Sequence, residues 1–354
     1  MDNLTHSLVG AVMGRMGLKR LSPRAMPALI VAANLPDIDS FVARGVGCNP
    51  LAAHRGFTHG ISGLVTMPFL AVAIIWCWEK LRLGKQVSPP QWGGVGEGVQ
   101  PPRKNPDEGT PSPCRKSNHR KWSDFRHPLP QGREMNYPGL LLACFLGVLS
   151  HPLLDLMNTY GTRVLEPFSH RWFYADTLFI VDPWIWLMLI LGLEMSWRAE
   201  RLGRDWRRPA AWAFTAMLLY IGLNDAISAR AVALTRPLVE RVAPARMIVA
   251  GEVPLEFWKR EMLWRGDAIG GSGTYDLLDG LNSASLDPRI IPLRLDDPRL
   301  PAAAARDRHV RAFLFWSRMP MVYVESGRAY LTDQRFFESG RASSSTFLIA
   351  LDKR

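Results

Sequence analysis

Several familiar signals are absent from this chain of 354 residues, and each absence excludes something. Its four cysteines, Cys48, Cys77, Cys114 and Cys144, show neither CxxC spacing nor a disulfide pattern, so they neither frame the fold nor assign a redox compartment. The start, Met-Asp-Asn-Leu-Thr-His, lacks the basic region and small-residue cleavage site of a signal peptide, and the first apolar segment is expected to stay. No Ser-His-acid constellation stands out, which sets covalent serine chemistry aside and leaves Thr58 and Ser150 as hydrogen-bonding helpers. The two halves of the apolar region do not resemble each other, and its ionisable residues cluster at segment ends, against the midplane sites and internal symmetry of a transporter.

What the chain has is clustered apolarity. Hydrophobic residues make up 47% of it, gathered into runs of which several reach the ~18–20 residues needed to cross a bilayer. The expected fold is a mainly α, polytopic membrane helical domain with a small, mainly β soluble domain at the C-terminus. Residues 1–78 hold three segments: 4–18, a run from Met26 stopped at Pro36, and Ile61–Trp78. Residues 79–137 turn basic and rich in Pro and Gly and read as a disordered linker, which removes His119 and His127 from consideration as ligands. Residues 138–243 hold three more segments, Leu140–Met157, Pro183–Trp197 and about Ala210–Ala229. Residues 244–354 break into short runs such as Arg246–Ala250, Phe313–Trp316, Val322–Val324 and Phe347–Leu351, which read as strands.

The formal charge of +11 invites a nucleic-acid reading, but its placement argues for topology instead. Lys19, Arg20 and Arg24 lie in one connection, the basic linker is a second, and Arg198, Arg201, Arg204, Arg207 and Arg208 lie in or beside a third. The positive-inside rule puts all three in the cytoplasm, and a six-segment threading then leaves the C-terminal domain extracytoplasmic. No nucleic-acid partner is expected; the bilayer is.

On this threading one set of residues gathers at the outer face. His151 and Asp155 are four apart on a helix and project from one side, a spacing suited to two ligands of a metal. His6 opens the first segment, Asp37 and Asp39 close the second, and His54 and His59 precede the third. Histidine and carboxylate ligands suit a divalent ion, zinc foremost, with manganese or iron as alternatives. Arg55 is a candidate for binding an anion, since guanidinium grips phosphate bidentately. Asp176 and Asp182 could orient a histidine, although Asp182 before Pro183 serves equally as a helix cap.

Thr-His near the start, Pro-Asp-Ile-Asp, His-Arg-Gly-Phe-Thr-His, and His-Pro-Leu-Leu-Asp followed by Tyr-Gly-Thr, in that order, resemble the YdjM-type family of inner-membrane metal-dependent hydrolases. The resemblance covers roughly residues 1–230, with the linker as an insertion. A weaker one, in ligand order and final spacing only, is to the zinc-dependent phospholipase C and P1 nuclease group. It implies that Asp155 bridges two metals, with His6 on one and Asp37 or Asp39, His59 or His54, and His151 on the other. The expected function is hydrolysis of a phosphoester or another ester, lipids among the candidates, at the outer face of the bacterial inner membrane. The rival is a non-catalytic scaffold in which metal staples the helix ends and the C-terminal domain binds a partner.

Overall fold

The computed structural model describes residues 1–45, 50–84, 134–279, 282–338, 341–342 and 347–352. Most of the expected linker, with His119 and His127, lies outside the described residues. Two compact units emerge, one of residues 1–73 and 135–354 and a second of residues 74–134.

Helix α1 (Asn3–Arg15) starts at Asp2, whose carboxylate accepts from the backbone N–H groups of Leu4 and Thr5. Helix α2 (Ala25–Asn34) ends before Pro36 as expected, but the chain does not turn away there. A 3-10 turn (Leu35–Asp37) carries the chain into α3 (Ile38–Gly45), because proline near the start of a turn has no N–H that the turn needs. After α4 (Pro50–Ala53) and the His54–His59 turn comes α5 (Ile61–Gly84), which continues six residues beyond Trp78 into the stretch expected to be linker. Helix α6 (Tyr137–Leu156) is capped by Asn136 and contains Pro152. Helix α7 (Pro183–Arg201) starts at Asp182, whose side chain accepts from the N–H groups of Trp184 and Ile185, so the cap reading holds.

Helix α8 (Arg207–Glu240) runs 34 residues, about 51 Å at 1.5 Å per residue, well beyond the expected span. Its far end is covered by protein: Ile227 and Ala231 pack on Ala250, Met262 and Tyr275 of the C-terminal sheet. Among the described residues four stretches are long and apolar enough to cross a bilayer: Ala25–Ala43, Ile61–Leu81, Tyr137–Leu156 and Arg207–Glu240. Helix α1 would extend only about 20 Å, against a hydrocarbon core of about 30 Å. Helix α7 carries Glu194, Arg198, Glu200 and Arg201 in its last two turns.

Helix α2 packs on α1 and α6, and α1 on α7 and α8. Gly147 allows the close approach of α6 to α2, since a Cβ there would come within 2.9 Å of Ala32 Cβ and of the Leu29 carbonyl. Basic connections meet at one end of these helices. Lys19 pairs with Glu200 at 2.8 Å and lies over the Trp206 ring, and Asn136 Nδ2 donates to Leu21 O at 2.8 Å.

The C-terminal region is antiparallel. Strands β1 (Met247–Glu252), β2 (Lys259–Arg265), β3 (Ile269–Asp276) and β4 (Ser283–Pro292) form a meander in sequence order, with a bulge at Gly271–Gly273. Strands β5 (Pro320–Glu325), β6 (Arg328–Asp333) and β9 (Ile349–Ala350) form a second sheet, and β7 (Phe337–Glu338) pairs with β8 (Arg341–Ala342). The strand reading of Phe313–Trp316 is corrected. This run closes α10 (Arg308–Trp316), which follows α9 (Arg299–Arg306) and is capped by Asp307. Val310, Phe313 and Trp316 recur every three residues and share one buried helical face. Burying each such side chain contributes about 1.5–3 kcal/mol.

Arg260 of β2 ties this region to α8: its Nε donates to Ser228 Oγ at 2.8 Å and its Nη2 to Asn224 Oδ1 at 2.9 Å. Arg318 pairs with Asp176 at 2.7 Å, and Arg335 donates to the Thr159 carbonyl. The C-terminal region thus sits at the same helix ends as the loop that follows α6, opposite the basic connections.

Candidate metal centre

Three helices and one turn bring the site together. From α6, His151 and Asp155 project to one side as their spacing requires, both buried. His59 faces them from the turn before α5: its Nε2 lies 3.1 Å from His151 Nε2, 3.5 Å from Asp155 Oδ2 and 3.6 Å from Asp37 Oδ1. Asp37 Oδ1 is 3.3 Å from His151 Nε2, and Asp155 Oδ2 is 3.8 Å from the same nitrogen. Four ligands at 2.0–2.2 Å from a tetrahedral zinc stand about 3.4 Å apart. The spacing of Asp37, His59, His151 and Asp155 therefore fits such an ion, and these four residues form a group that could hold one.

The hydrogen bonds set the tautomers. His151 Nδ1 faces the Ala33 carbonyl at 2.6 Å and must donate to it. Thr58 Oγ1 gives its proton to Asp39 Oδ2 at 2.6 Å, so it accepts from His59 Nδ1 at 2.9 Å. In the neutral rings both Nε2 atoms are then acceptors, and two lone pairs facing each other between two carboxylates call for a cation. The potential of the site is visible at His59. Burial opposes its charge, but hydrogen bonds to Asp155, Asp37 and Asp39 outweigh that and push its pKa up to about 10.

His6 stacks on His151, ring centroids 3.7 Å apart, with Nε2 3.4 Å from Asp155 Oδ1. Both ring nitrogens of His6 are buried and have no hydrogen-bond partner among the described residues, which leaves either free to ligate a metal. The Met1 amino group also contacts Asp155 Oδ1. Asp155 thus presents one oxygen to His59 and His151 and the other to His6.

Asp39 and His54 are placed differently from Asp37 and His59. Asp39 accepts from Thr58, from the Arg55 N–H at 3.1 Å and from His54 Nδ1 at 2.8 Å, and its Oδ2 lies 3.4 Å from His59 Nδ1. With His54 and His59 it makes a second group that could hold an ion, but its bonds suit it to orienting His59. His54 Nε2 stands 4.0 Å from Asp37. Arg55, in the left-handed region at φ 59°, sets its Nε 3.1 Å from Asp155 Oδ2 and donates through Nη1 to Asn158 Oδ1 at 2.7 Å. Asp176 meets Arg318 and Asp182 caps α7, so neither touches a histidine of the cluster through these bonds.

Sequence reasoning missed three supports. Asn158 holds Arg55, and the Ala33 carbonyl holds His151. Arg163 donates to Ala52 O at 2.7 Å and to Glu166 at 2.8 Å, pinning the segment before His54. Its fit explains the glycine of His-Arg-Gly: a Cβ on Gly56 would fall 2.2 Å from Arg163 Nη2. Ser40, His54 and Arg55, at the edge of the cluster, line a pocket of about 280 Å³.

Comparison with known proteins follows the same residues. The family described as YdjM inner membrane protein matches residues 1–231. The uncharacterized protein YfhP of Bacillus subtilis (strain 168) is 23% identical over 205 residues, which are 55% of this chain and 46% of that protein. The chain thus matches just under half the length of that relative. No solved structure matches.

Proposed function

The chain belongs to the YdjM inner membrane protein family, and from that premise we propose that it is a membrane-bound, metal-dependent hydrolase that cleaves a phosphoester at the outer face of the membrane. The observation that carries the reading is a pocket of about 280 Å³ lined by His54 and Arg55, the latter with its Nε 3.1 Å from Asp155 Oδ2 of the four-residue group. A closed structural zinc is sealed by four protein ligands. Here His6 stands beyond the four-residue group, beside the Asp155 Oδ1 that the Met1 amino group also contacts, and the pocket at Arg55 has room for a second reactant.

A divalent ion, zinc foremost, supplies Lewis acidity toward a phosphoryl oxygen and acidifies a water. The chain's own residues do the positioning. Asp37, His59, His151 and Asp155 hold the ion, and His6 shares Asp155 from its other oxygen. Asp39 and the Ala33 carbonyl keep the two Nε2 lone pairs turned inward. Arg55 neutralises Asp155 and lines the pocket, where its guanidinium would bind the phosphoryl oxygens of the substrate.

The second reading, a non-catalytic scaffold stapled by metal, is favoured by the near-tetrahedral spacing of the four-residue group. Metal analysis of the purified full chain, followed by phosphoester and carboxylester panels with and without chelator, separates the two. Cleavage that chelation abolishes supports the hydrolase. One fully held ion with no cleavage of any panel member would favour the scaffold.

A further inference from the structure

We propose that the substrate is an amphiphilic phosphoester of the phospholipid kind, whose apolar part lies against a wall supplied by the C-terminal region. This rests on the hydrolase reading for the phosphate end alone. The pocket is two-faced. Ser40, His54 and Arg55 give its lining polar groups, and Tyr160, Trp172, Trp316 and Phe347 give it an aromatic wall, Arg55 Cζ standing 5.6 Å from the Tyr160 ring centre. Trp316 and Phe347 come from the C-terminal region, which thereby becomes part of the site.

The wall is built and braced. Trp316 stacks on Phe347 at 5.2 Å between centroids and lies 6.4 Å from Tyr160. Leu51, Tyr160 and Trp172 pack against the C-terminal core around Phe313 and Trp316, and α10 packs on α4, immediately before His54. The indole N–H of Trp172 is spent on the Phe315 carbonyl at 3.1 Å. What this ring offers a ligand is its apolar face, which binds hydrocarbon by contact area.

A membrane lipid is the source that fits. The cluster lies at the ends of helices apolar enough to span a bilayer, and the segments that carry it expose large apolar side chains. Phe41, next to Ser40, is 69% exposed, Phe57, two residues after Arg55, 56%, and Phe168, two residues after Glu166, 81%. Side chains of this kind at helix ends belong at the lipid interface. A cation and a guanidinium beside an aromatic slot then match a phosphate joined to a hydrocarbon chain.

The test uses phosphonates, whose carbon–phosphorus bond makes the readout binding and not turnover. Octylphosphonate and methylphosphonate are titrated calorimetrically into the zinc-loaded full chain in phosphatidylcholine nanodiscs, with empty discs subtracted. The octyl ligand is expected to bind at least ~10-fold more tightly. Phe347→Ala and Trp172→Ala should each erase most of that preference while metal content and methylphosphonate affinity stay put, and Phe347→Leu should retain it. Equal affinity for the two ligands in the wild type would point to a soluble phosphoester and overturn this proposal, leaving the hydrolase standing. So would an octyl preference that survives both alanine variants. If neither phosphonate binds the metal-loaded protein, the phosphate end fails and the hydrolase reading goes with it.

Discussion

His59 Nε2 and His151 Nε2 face each other at 3.1 Å, each ring having already committed its Nδ1 proton, to Thr58 and to the Ala33 carbonyl. Two acceptors do not hold such a distance in a neutral pair, and Asp37 and Asp155 add negative charge on either side. A proton or a metal ion must therefore sit in the field between them.

That competition sets a pH dependence. Burial opposes charge on His59, but bonds to Asp155, Asp37 and Asp39 raise its pKa from 6.5 to about 10. A group raised on folding stabilises the metal-free protein fully below about 6.5 and progressively less as the pH climbs through about 10. Metal binding must expel this proton, so Zn²⁺ affinity should rise about 10-fold per pH unit between those limits. Calorimetry in buffers of different ionisation enthalpy counts the proton released. Release of none near neutral pH would remove His59 from the ligand set.

Asp155 and Arg55 should separate metal holding from turnover. Asp155→Asn keeps the shape and removes the charge that both faces of the cluster share, and it should cost the ion held by the four-residue group, read by elemental analysis. Arg55→Ala removes a competing cation from Asp155. It should leave metal content intact while lowering kcat about 10²-fold or more on any phosphoester the wild type cleaves. Full activity of Arg55→Ala would remove the arginine from the chemistry.

Asp39→Asn tests orientation. Asp39 accepts from Thr58 and His54 and lies beside His59 Nδ1, so its loss should weaken metal binding about 10–100-fold without changing stoichiometry. Competition against a chromogenic chelator reads the affinity. Loss of a whole equivalent would make Asp39 a ligand in its own right.

Sidedness is open to a direct measurement. The connections around Lys19 and Glu200 meet at one helix end and the cluster lies at the other, so the expectation from the positive-inside rule is that the cluster and the C-terminal region lie outside the cytoplasm. A reporter active only in the periplasm, fused at the C-terminus, should be active. Activity of a cytoplasm-only reporter at that fusion would reverse the topology.

Local sequence determined what is local in physics. The spacing of four between His151 and Asp155 set both on one side of α6 before any neighbour was known, and apolar runs separated spanning helices from the strand-rich C-terminal region. Order along the chain also determined that His6, Asp37, Asp39, His54 and His59 lie at helix ends. Short runs were less legible. Phe313–Trp316 suits a strand or a helix until the Asp307 cap and the face shared with Val310 decide it.

Only the tertiary structure decided between residues that the sequence left equivalent. Asp37 turns its carboxylate to His59 and His151 while Asp39, two residues on, turns to their support, because a 3-10 turn and not a continuous α-helix joins α2 to α3. His59 faces the α6 pair and His54 the pocket, with Arg163 pinning the chain before His54 at the Ala52 carbonyl and between the two at the Arg55 carbonyl. The Ala33 carbonyl that orients His151 has no side-chain signature at all. Nor could any window of sequence join Arg55 to a wall made by Trp316 and Phe347. Such contacts depend on how distant elements pack, and the residues that make them carry no mark of it locally.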